Sequence, residues 1–354
     1  MLKIGSLRVE SFGHLILNTI RYFAEKKFYF LIIFSSKKKT VNRYVYNFLK
    51  VNYKSNRIFF FENEILTFFT EIFYKIQKKL IFLSIFYANV RWIHHEKPRI
   101  EYGSIYRFYD SYLFKKKKLS NFENNKKFLD WRKQNNLLGK YVCIFARDSG
   151  FYNEKFIDPR NFKFSSYRST INKLIKLKYK VIRMGRNNNE KFTLKNKNFF
   201  DFEYLVKNEL KDTLEFLEFM LFKNCKFIIG STSGIQAYAL LFDKRFFFVN
   251  NFPAGRIPIF KNCLFINKKY KKHNMLVSYN QLNKKILLSE EQNELKKNFY
   301  QVVNNTSKEI HDFVIKNLKK KSAINIKRHP FIIEGEGALC CKRWYTKNLK
   351  LFKN

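Results

Sequence analysis

The stretch Asn224–Asn250, NCKFIIGSTSGIQAYALLFDKRFFFVN, sets a short apolar run against a cluster of small and hydroxylated residues, Gly230, Ser231, Thr232, Ser233 and Gly234. Phe227 to Ile229 read as a buried strand, and Ile235, Tyr238, Ala239 and Phe242 recur at helical spacing directly behind the cluster. A strand that feeds a helix through such a turn leaves backbone N–H groups without partners, the positive end of a helix dipole and several hydroxyls directed at one place. That combination suits a phosphate. An N-cap needs only one of the three hydroxyls, so the surplus points to a ligand.

In open parallel sheets ligands bind beyond the carboxyl ends of the strands. The residues at those ends are Arg147, Asp148, Ser149 and Gly150 after the strand Tyr141–Ala146, then Gly185 and Arg186 after Lys180–Met184, and Asn250 to Pro253 after Arg245–Val249. Arginine's planar fork matches a pyrophosphate bidentately, so Arg147 and Arg183 are candidate donor-phosphate ligands beside Gly185 and the Gly230–Gly234 turn. A salt bridge to Asp148 is the plainer reading of Arg147, and Arg183, inside its strand, also fits a structural role. Upstream, Gly13 and His14 follow the first strand, and His14 and Asn18 share a helical face. A histidine facing the nucleotide site of another domain could deprotonate an acceptor hydroxyl, its unperturbed pKa being about 6.5. Asp148 is the other candidate base, and packing or capping the ordinary alternative for His14.

Other constellations carry less. His94, His95 and Glu96 lack a further ligand at metal spacing and read as a loop. Glu62 and Glu64 stand where a helix start favours acidic residues for dipole reasons alone. The chain has no G-x-x-x-x-G-K-[ST], no G-x-G-x-x-G and no Asp-x-Asp pair. A P-loop, a dinucleotide oxidoreductase and the usual carboxylate route to a bound divalent ion are therefore not indicated, and the expectation is metal-independent chemistry without a cofactor. The five cysteines are odd in number and show no C-x-x-C spacing, as in a reduced protein without a disulfide framework or zinc site.

These residues need elements to position them. Strand-like runs at Lys3–Val9, Phe28–Phe34 and Arg57–Phe60 alternate with helical patterns at His14–Glu25, Val41–Lys50 and Ile65–Lys79. A charged stretch with Lys115 to Lys118 reads as a linker, and the alternation restarts at Tyr141. Leu210, Leu214, Leu217 and Leu221 form an amphipathic stripe, and Ser289-Glu290-Glu291-Gln292 reads as a capping box. The expected organisation is an α/β protein of two βαβ sheets in tandem, over 1–130 and 131–288, followed by a long helix over 289–320 and a tail 321–354 of unknown role.

The chain has 354 residues, and Lys+Arg 70 against Asp+Glu 28 gives a net charge of +42. An anionic partner follows: a nucleotide, a nucleic acid or an anionic membrane surface. The wealth of Lys, Asn, Ile, Phe and Tyr also matches a GC-poor genome, so basicity alone names no ligand. Phe28–Phe34 and Leu80–Val90 fall short of the roughly 20 apolar residues of a spanning helix, and the N-terminus lacks a signal-peptide pattern. A cytoplasmic protein, able to rest peripherally on a membrane, is expected.

VCIFARD at Val142–Asp148, YKVIRMGR at Tyr179–Arg186 and NCKFIIGSTSG at Asn224–Gly234, in this order, resemble the glycosyltransferases of bacterial surface-polysaccharide clusters and, more distantly, GDP-fucose-using fucosyltransferases. SFGHLILNT around His14 is similar to the Gly-His and Asn-Thr signature near the start of that bacterial family. The resemblance implies a GT-B-type fold, two Rossmann-like domains with parallel sheets facing a central cleft, 1–130 for an acceptor and 131–288 for a nucleotide-sugar donor. Arg147 then matches the arginine of a His-x-Arg motif on the donor phosphate, and Ser231, Thr232 and Ser233 the hydroxyl-rich turn beside it. Two positions depart: Phe145 stands where the motif has histidine, and Gly185-Arg186 where the fucosyltransferase pattern has Gly-Asp. The implied activity moves a sugar from a nucleotide-sugar to a glycan or lipid-linked acceptor of the cell envelope, as in lipopolysaccharide synthesis. A heptosyltransferase-like enzyme with an ADP-linked donor shares the architecture. A non-catalytic nucleic-acid-binding protein is the rival of another class, against which stands the absence of any RNA-binding module pattern.

Overall fold

The computed structural model describes residues 2–7, 9–10, 12–25, 30–38, 40–52, 58–79, 90–93, 125–150, 158–260, 262–319, 322–335 and 337–353. The proposed linker at Lys115 to Lys118 and the loop reading of His94, His95 and Glu96 lie outside the described residues. The chain divides into two compact units, Met1–Asn124 with Leu210–Phe219, and Asn125–Glu209 with Met220–Asn354.

The first unit is a four-stranded parallel sheet of β1 (Leu2–Ser6), β2 (Phe30–Ser35), β3 (Ile58–Glu62) and β4 (Val90–Ile93), in the order β3-β2-β1-β4. Helices α1 (Phe12–Glu25), α2 (Arg43–Asn52) and α3 (Glu64–Lys79) connect them. Because β1 pairs on one side with β2 and on the other with β4, the strand order reverses there, and α1 opens at that switch point. The start of α2 is capped from far along the chain. Glu215 Oε2 accepts from the backbone N–H groups of Arg43 at 2.6 Å and Tyr44 at 3.1 Å, a carboxylate at the positive end of a helix.

The second unit is built on eight strands in the order β14-β15-β10-β9-β8-β5-β6-β7. These are β5 (Tyr141–Ile144), β6 (Lys180–Arg183), β7 (Phe199–Asp201), β8 (Ile228–Gly230), β9 (Phe246–Asn251), β10 (Cys263–Asn267), β14 (Ala323–Ile324) and β15 (Leu339–Cys341). All pair in parallel except β14 with β15. Strands β11 (Lys269–Lys272), β12 (Met275–Val277) and β13 (Tyr300–Val303) form a small antiparallel sheet. The remaining helices are α4 (Asn125–Gln134), α5 (Arg168–Lys176), α6 (Phe202–Leu205), α7 (Lys211–Asn224), α8 (Ala237–Leu241), α9 (Lys284–Leu288), α10 (Gln292–Lys297), α11 (Ser307–Lys316) and α12 (Lys342–Lys347); all belong to the second unit except α7, whose residues up to Phe219 belong to the first. Strands β5, β8, β9 and β10 are buried throughout, the mark of a parallel sheet covered on both faces. Phenylalanine dominates this core: Phe145, Phe222, Phe246, Phe248 and Phe260 pack ring against ring.

Four expectations are corrected. The helix over 289–320 is two helices with a strand between them, because Phe299 turns the chain through a left-handed backbone (φ 60) and Tyr300–Val303, with Tyr300 and two β-branched valines, pairs with β11. Ser289 does not cap α10, whose first turn begins at Glu291 without a side-chain bond; the capping box belongs to Thr306 and Glu309, at the start of α11. Helix α7 is buried on nearly every side from Glu215 to Phe222, Glu215 and Glu218 included, so its leucines do not form a one-sided stripe. The residues read as a tail supply β15, which pairs with β10 and extends the main sheet.

Candidate functional site

In the second unit β5 pairs with β6 on one side and β8 on the other, so its switch point lies between β5 and β8. The segments leaving those strands begin with Phe145 to Asp148 and with Ser231 to Gly234, and they meet: the backbone N–H of Arg147 donates to Ser231 Oγ at 3.2 Å. Gly230 makes the approach possible. A Cβ there would lie 2.2 Å from the Phe145 ring. Phe145 is thus a core aromatic packed against a glycine and takes no part in the rim.

The three hydroxyls of the turn have different fates. Ser231 is fully buried as the acceptor for Arg147, and Thr232 Oγ1 donates to the Phe252 carbonyl oxygen at 3.2 Å. Ser233 is half-buried, precedes a 3-10 turn at Gly234–Gln236 and gives it no side-chain cap. Among the described residues the Ser233 hydroxyl and the N–H groups of Ser233, Gly234 and Ile235 have no hydrogen-bond partner. The expected long helix behind the turn is this 3-10 turn followed by the five residues of α8, so amides and a hydroxyl, more than a macrodipole, would serve an anion.

Arg147 is 9% exposed, and its guanidinium pairs with Asp158 at 2.9 Å. Asp158 also takes Arg160, at 2.5 Å. Burial raises the Asp158 carboxyl, but the bonds and charge of Arg160, with the charge of Arg147, outweigh it and hold the pKa below the usual carboxylate value. The chain of charges continues from Arg160 to Glu290 at 3.1 Å, to Arg256 at 2.7 Å and to Glu334 at 3.1 Å. Lys268, one residue past β10, donates from Nζ to the carbonyl oxygens of Pro159 at 2.6 Å and Asn161 at 3.2 Å. Burial pushes the Lys268 pKa down to about 7, against the attraction of Asp158. The loop that carries Asp158 is therefore gripped from both sides.

Asp148, a candidate base, organises loops: one carboxylate oxygen accepts from Gly150 N at 3.0 Å and the other from Asn189 N at 2.9 Å. Arg183 is committed inside the sheet. It pairs with Asp201 at 3.1 Å, its register partner across β6 and β7, donates to the Glu190 carbonyl at 2.7 Å and lies 4.6 Å from the Phe164 ring centre. Burial raises the Asp201 pKa, partly offset by that guanidinium. Gly185 adopts φ 123, and a Cβ there would lie 2.8 Å from Asn188 Oδ1. His14 and Asn18 belong to the first unit, at the opening turns of α1, with His14 half-buried and Asn18 Nδ2 buried without a partner.

Asp158, Arg160 and Lys268 escaped the sequence reading. Lys268 obeys the same end-of-strand rule as Arg147 and was reachable had CLFIN at Cys263–Asn267 been taken as a strand; Asp158 and Arg160 come from an irregular loop with no periodic signal. A separate cavity of about 620 Å³ lies between α11 and α12, against Phe313 and Trp344. Among the described residues no group of three or more His, Cys, Asp or Glu is placed to hold a metal ion, and no helix is long and apolar enough to cross a membrane.

No protein-family model and no curated protein matches the chain. Solved structures similar to it include the glycosyl transferase family 9 protein from Veillonella parvula DSM 2008, with TM-score 0.43 and 10% identity over 75% of this chain and 85% of that one. The E. coli ADP-heptose lps heptosyltransferase II is similar with TM-score 0.43 and 12% identity, over 77% of this chain and 92% of that one. E. coli heptosyltransferase WaaC with ADP is similar with TM-score 0.38 and 10% identity, over 90% of this chain and 99% of that one.

Proposed function

We propose that the protein is a glycosyltransferase of GT-B type that moves a sugar from a nucleotide-sugar to a glycan or lipid-linked acceptor of the bacterial cell envelope. The observation that carries this reading is the meeting of Arg147 and Ser231 at the switch point of the second sheet, beside the unengaged hydroxyl of Ser233 and three free amides. Charge on the departing diphosphate grows in the transition state, and preorganised donors there lower the barrier. Ser233, the amides of Ser233 to Ile235 and the guanidinium of Arg147 are the proposed ligands. Asp158 orients that guanidinium, Arg160 and Lys268 hold the loop of Asp158, and the chain's own cations meet the phosphate charge without a metal. Arg183 and Asp148, committed elsewhere, are left out of the ligand set, and His14 is assigned to the acceptor hydroxyl.

The test is thermal shift with ADP, GDP and UDP, followed by the corresponding nucleotide-sugars with and without chelator. A diphosphate at a hundred times its dissociation constant stabilises by about 2.7 kcal/mol. Binding of one diphosphate that persists in chelator supports the reading, and a preference for ADP selects the heptosyltransferase-like donor. Stabilisation by oligonucleotides with no response to any diphosphate would replace it with the nucleic-acid reading.

A further inference from the structure

Over Glu64 to Phe73 the start of helix α3, in the first unit, reverses the usual pattern. It packs on β1, β2 and β4, yet the side chains turned inward include Thr67 and Thr70, the latter 1% exposed. Their hydroxyls are satisfied locally, each donating at 2.6 Å to the carbonyl oxygen four residues back, Asn63 and Leu66. The outward side chains are Ile65 (67% exposed), Leu66, Phe68 (61%), Phe69 and Phe73. At about 100° per residue these five fall within an arc of roughly 160°, one continuous face. Phe59 and Phe61, on the edge strand β3 that leads into the helix, are exposed as well. A water-facing helix carries the opposite pattern, and an apolar face of this breadth marks an interaction surface.

The charges beside the face choose among partners. Glu64, the first residue of α3, accepts from the N–H of Lys38 at 3.1 Å, and Glu62 is held by Arg43 and Lys50. Both neighbouring carboxylates are thereby engaged, while Lys37 and Lys38 stand exposed. A second copy would bring another +42 against this one, whereas an anionic bilayer complements both the cations and the apolar rings. We infer that α3 docks on an anionic lipid bilayer, its phenylalanines at the boundary of headgroups and acyl chains and Lys37 and Lys38 at the phosphates. This deepens the proposed function, on which it rests for a lipid-linked acceptor.

The experiment is co-flotation of the full chain with vesicles of phosphatidylcholine containing one fifth phosphatidylglycerol, or of phosphatidylcholine alone. The parent is expected to float with the anionic vesicles at least fivefold more than with the neutral ones. Phe68→Ser with Phe69→Ser is expected to cut that retention about tenfold with an undiminished melting temperature, and Lys37→Glu with Lys38→Glu to remove the preference for anionic lipid. Absence of the parent from the floating fraction, or equal flotation of the phenylalanine variant, overturns the inference. So does a dimer in light scattering that the phenylalanine variant abolishes while flotation is unchanged. Thermal shift by nucleoside diphosphates is read on the same variants and does not involve this face, so a failure of donor binding and a failure of docking are told apart.

Discussion

Lys268 Nζ lies 2.6 Å from the carbonyl oxygen of Pro159, which places a buried lysine directly behind the aspartate that orients Arg147. A neutral amine still has two N–H groups to give, one for each carbonyl it touches. The cost of burying the charge is thereby avoided without loss of the grip.

That arrangement sets a pH dependence. The unfolded lysine releases its proton near 10.5 and the folded one near 7, so between those values the unfolded chain binds more protons and stability rises with pH, by at most about 1.4 kcal/mol per unit. Below pH 7 both states are protonated and the cost of burial is fully present. Lys268→Met is expected to flatten the profile. Urea denaturation of both proteins at pH 7 and 9 checks it, and parallel profiles would count against a depressed lysine.

Arg147→Ala is expected to weaken binding of the nucleoside diphosphate by about 1.5–3 kcal/mol, the range for a charged hydrogen bond. Asp158 keeps Arg160, so the fold should survive. Calorimetric titration of the preferred diphosphate decides, and unchanged affinity removes Arg147 from the ligand set.

Ser231 and Ser233 are expected to separate. Ser231→Ala strips the buried amide of Arg147 of its acceptor and should cost about 1–3 kcal/mol of stability. Ser233→Ala touches no internal bond and should leave the melting temperature alone while lowering diphosphate affinity by about 1 kcal/mol. Equal stability loss in both would mean that the turn is purely structural.

Gly230→Ala forces a methyl into the Phe145 ring, and a destabilisation of about 1–3 kcal/mol is expected. Adding Phe145→Leu should recover much of it. A double mutant no better than the single one would show that the clash is not with that ring.

His14→Ala is expected to lower turnover more than donor affinity, as loss of a base acting only in the transition state does. Equal loss of both would assign His14 a positioning role.

The meeting of Arg147 and Ser231 was readable because parallel strands bring their carboxyl ends to one rim, and the apolar runs ending at Ala146 and Ile229 place those ends within two residues of the observed Ile144 and Gly230. The ion chain behind Arg147 was not readable. Its members Asp158, Glu290 and Glu334 come from distant loops, and no local pattern encodes their convergence. Arg183 was ambiguous for a related reason: whether a strand-end arginine faces a ligand or a neighbouring strand depends on its partner at Asp201, 18 residues on. The long helix over 289–320 failed because good helix formers on both sides of Phe299 mask a strand that exists only by pairing with β11.

Glu334 closes a line of alternating charges that begins at Arg147, and β15 follows it into the sheet only at Leu339. A chain emerging from the ribosome has made the turn at Ser231 a hundred residues or so before it can complete that line. The set of ion pairs behind Arg147 is therefore complete only late in synthesis, and until then the polypeptide has the turn without all of the charges that surround it.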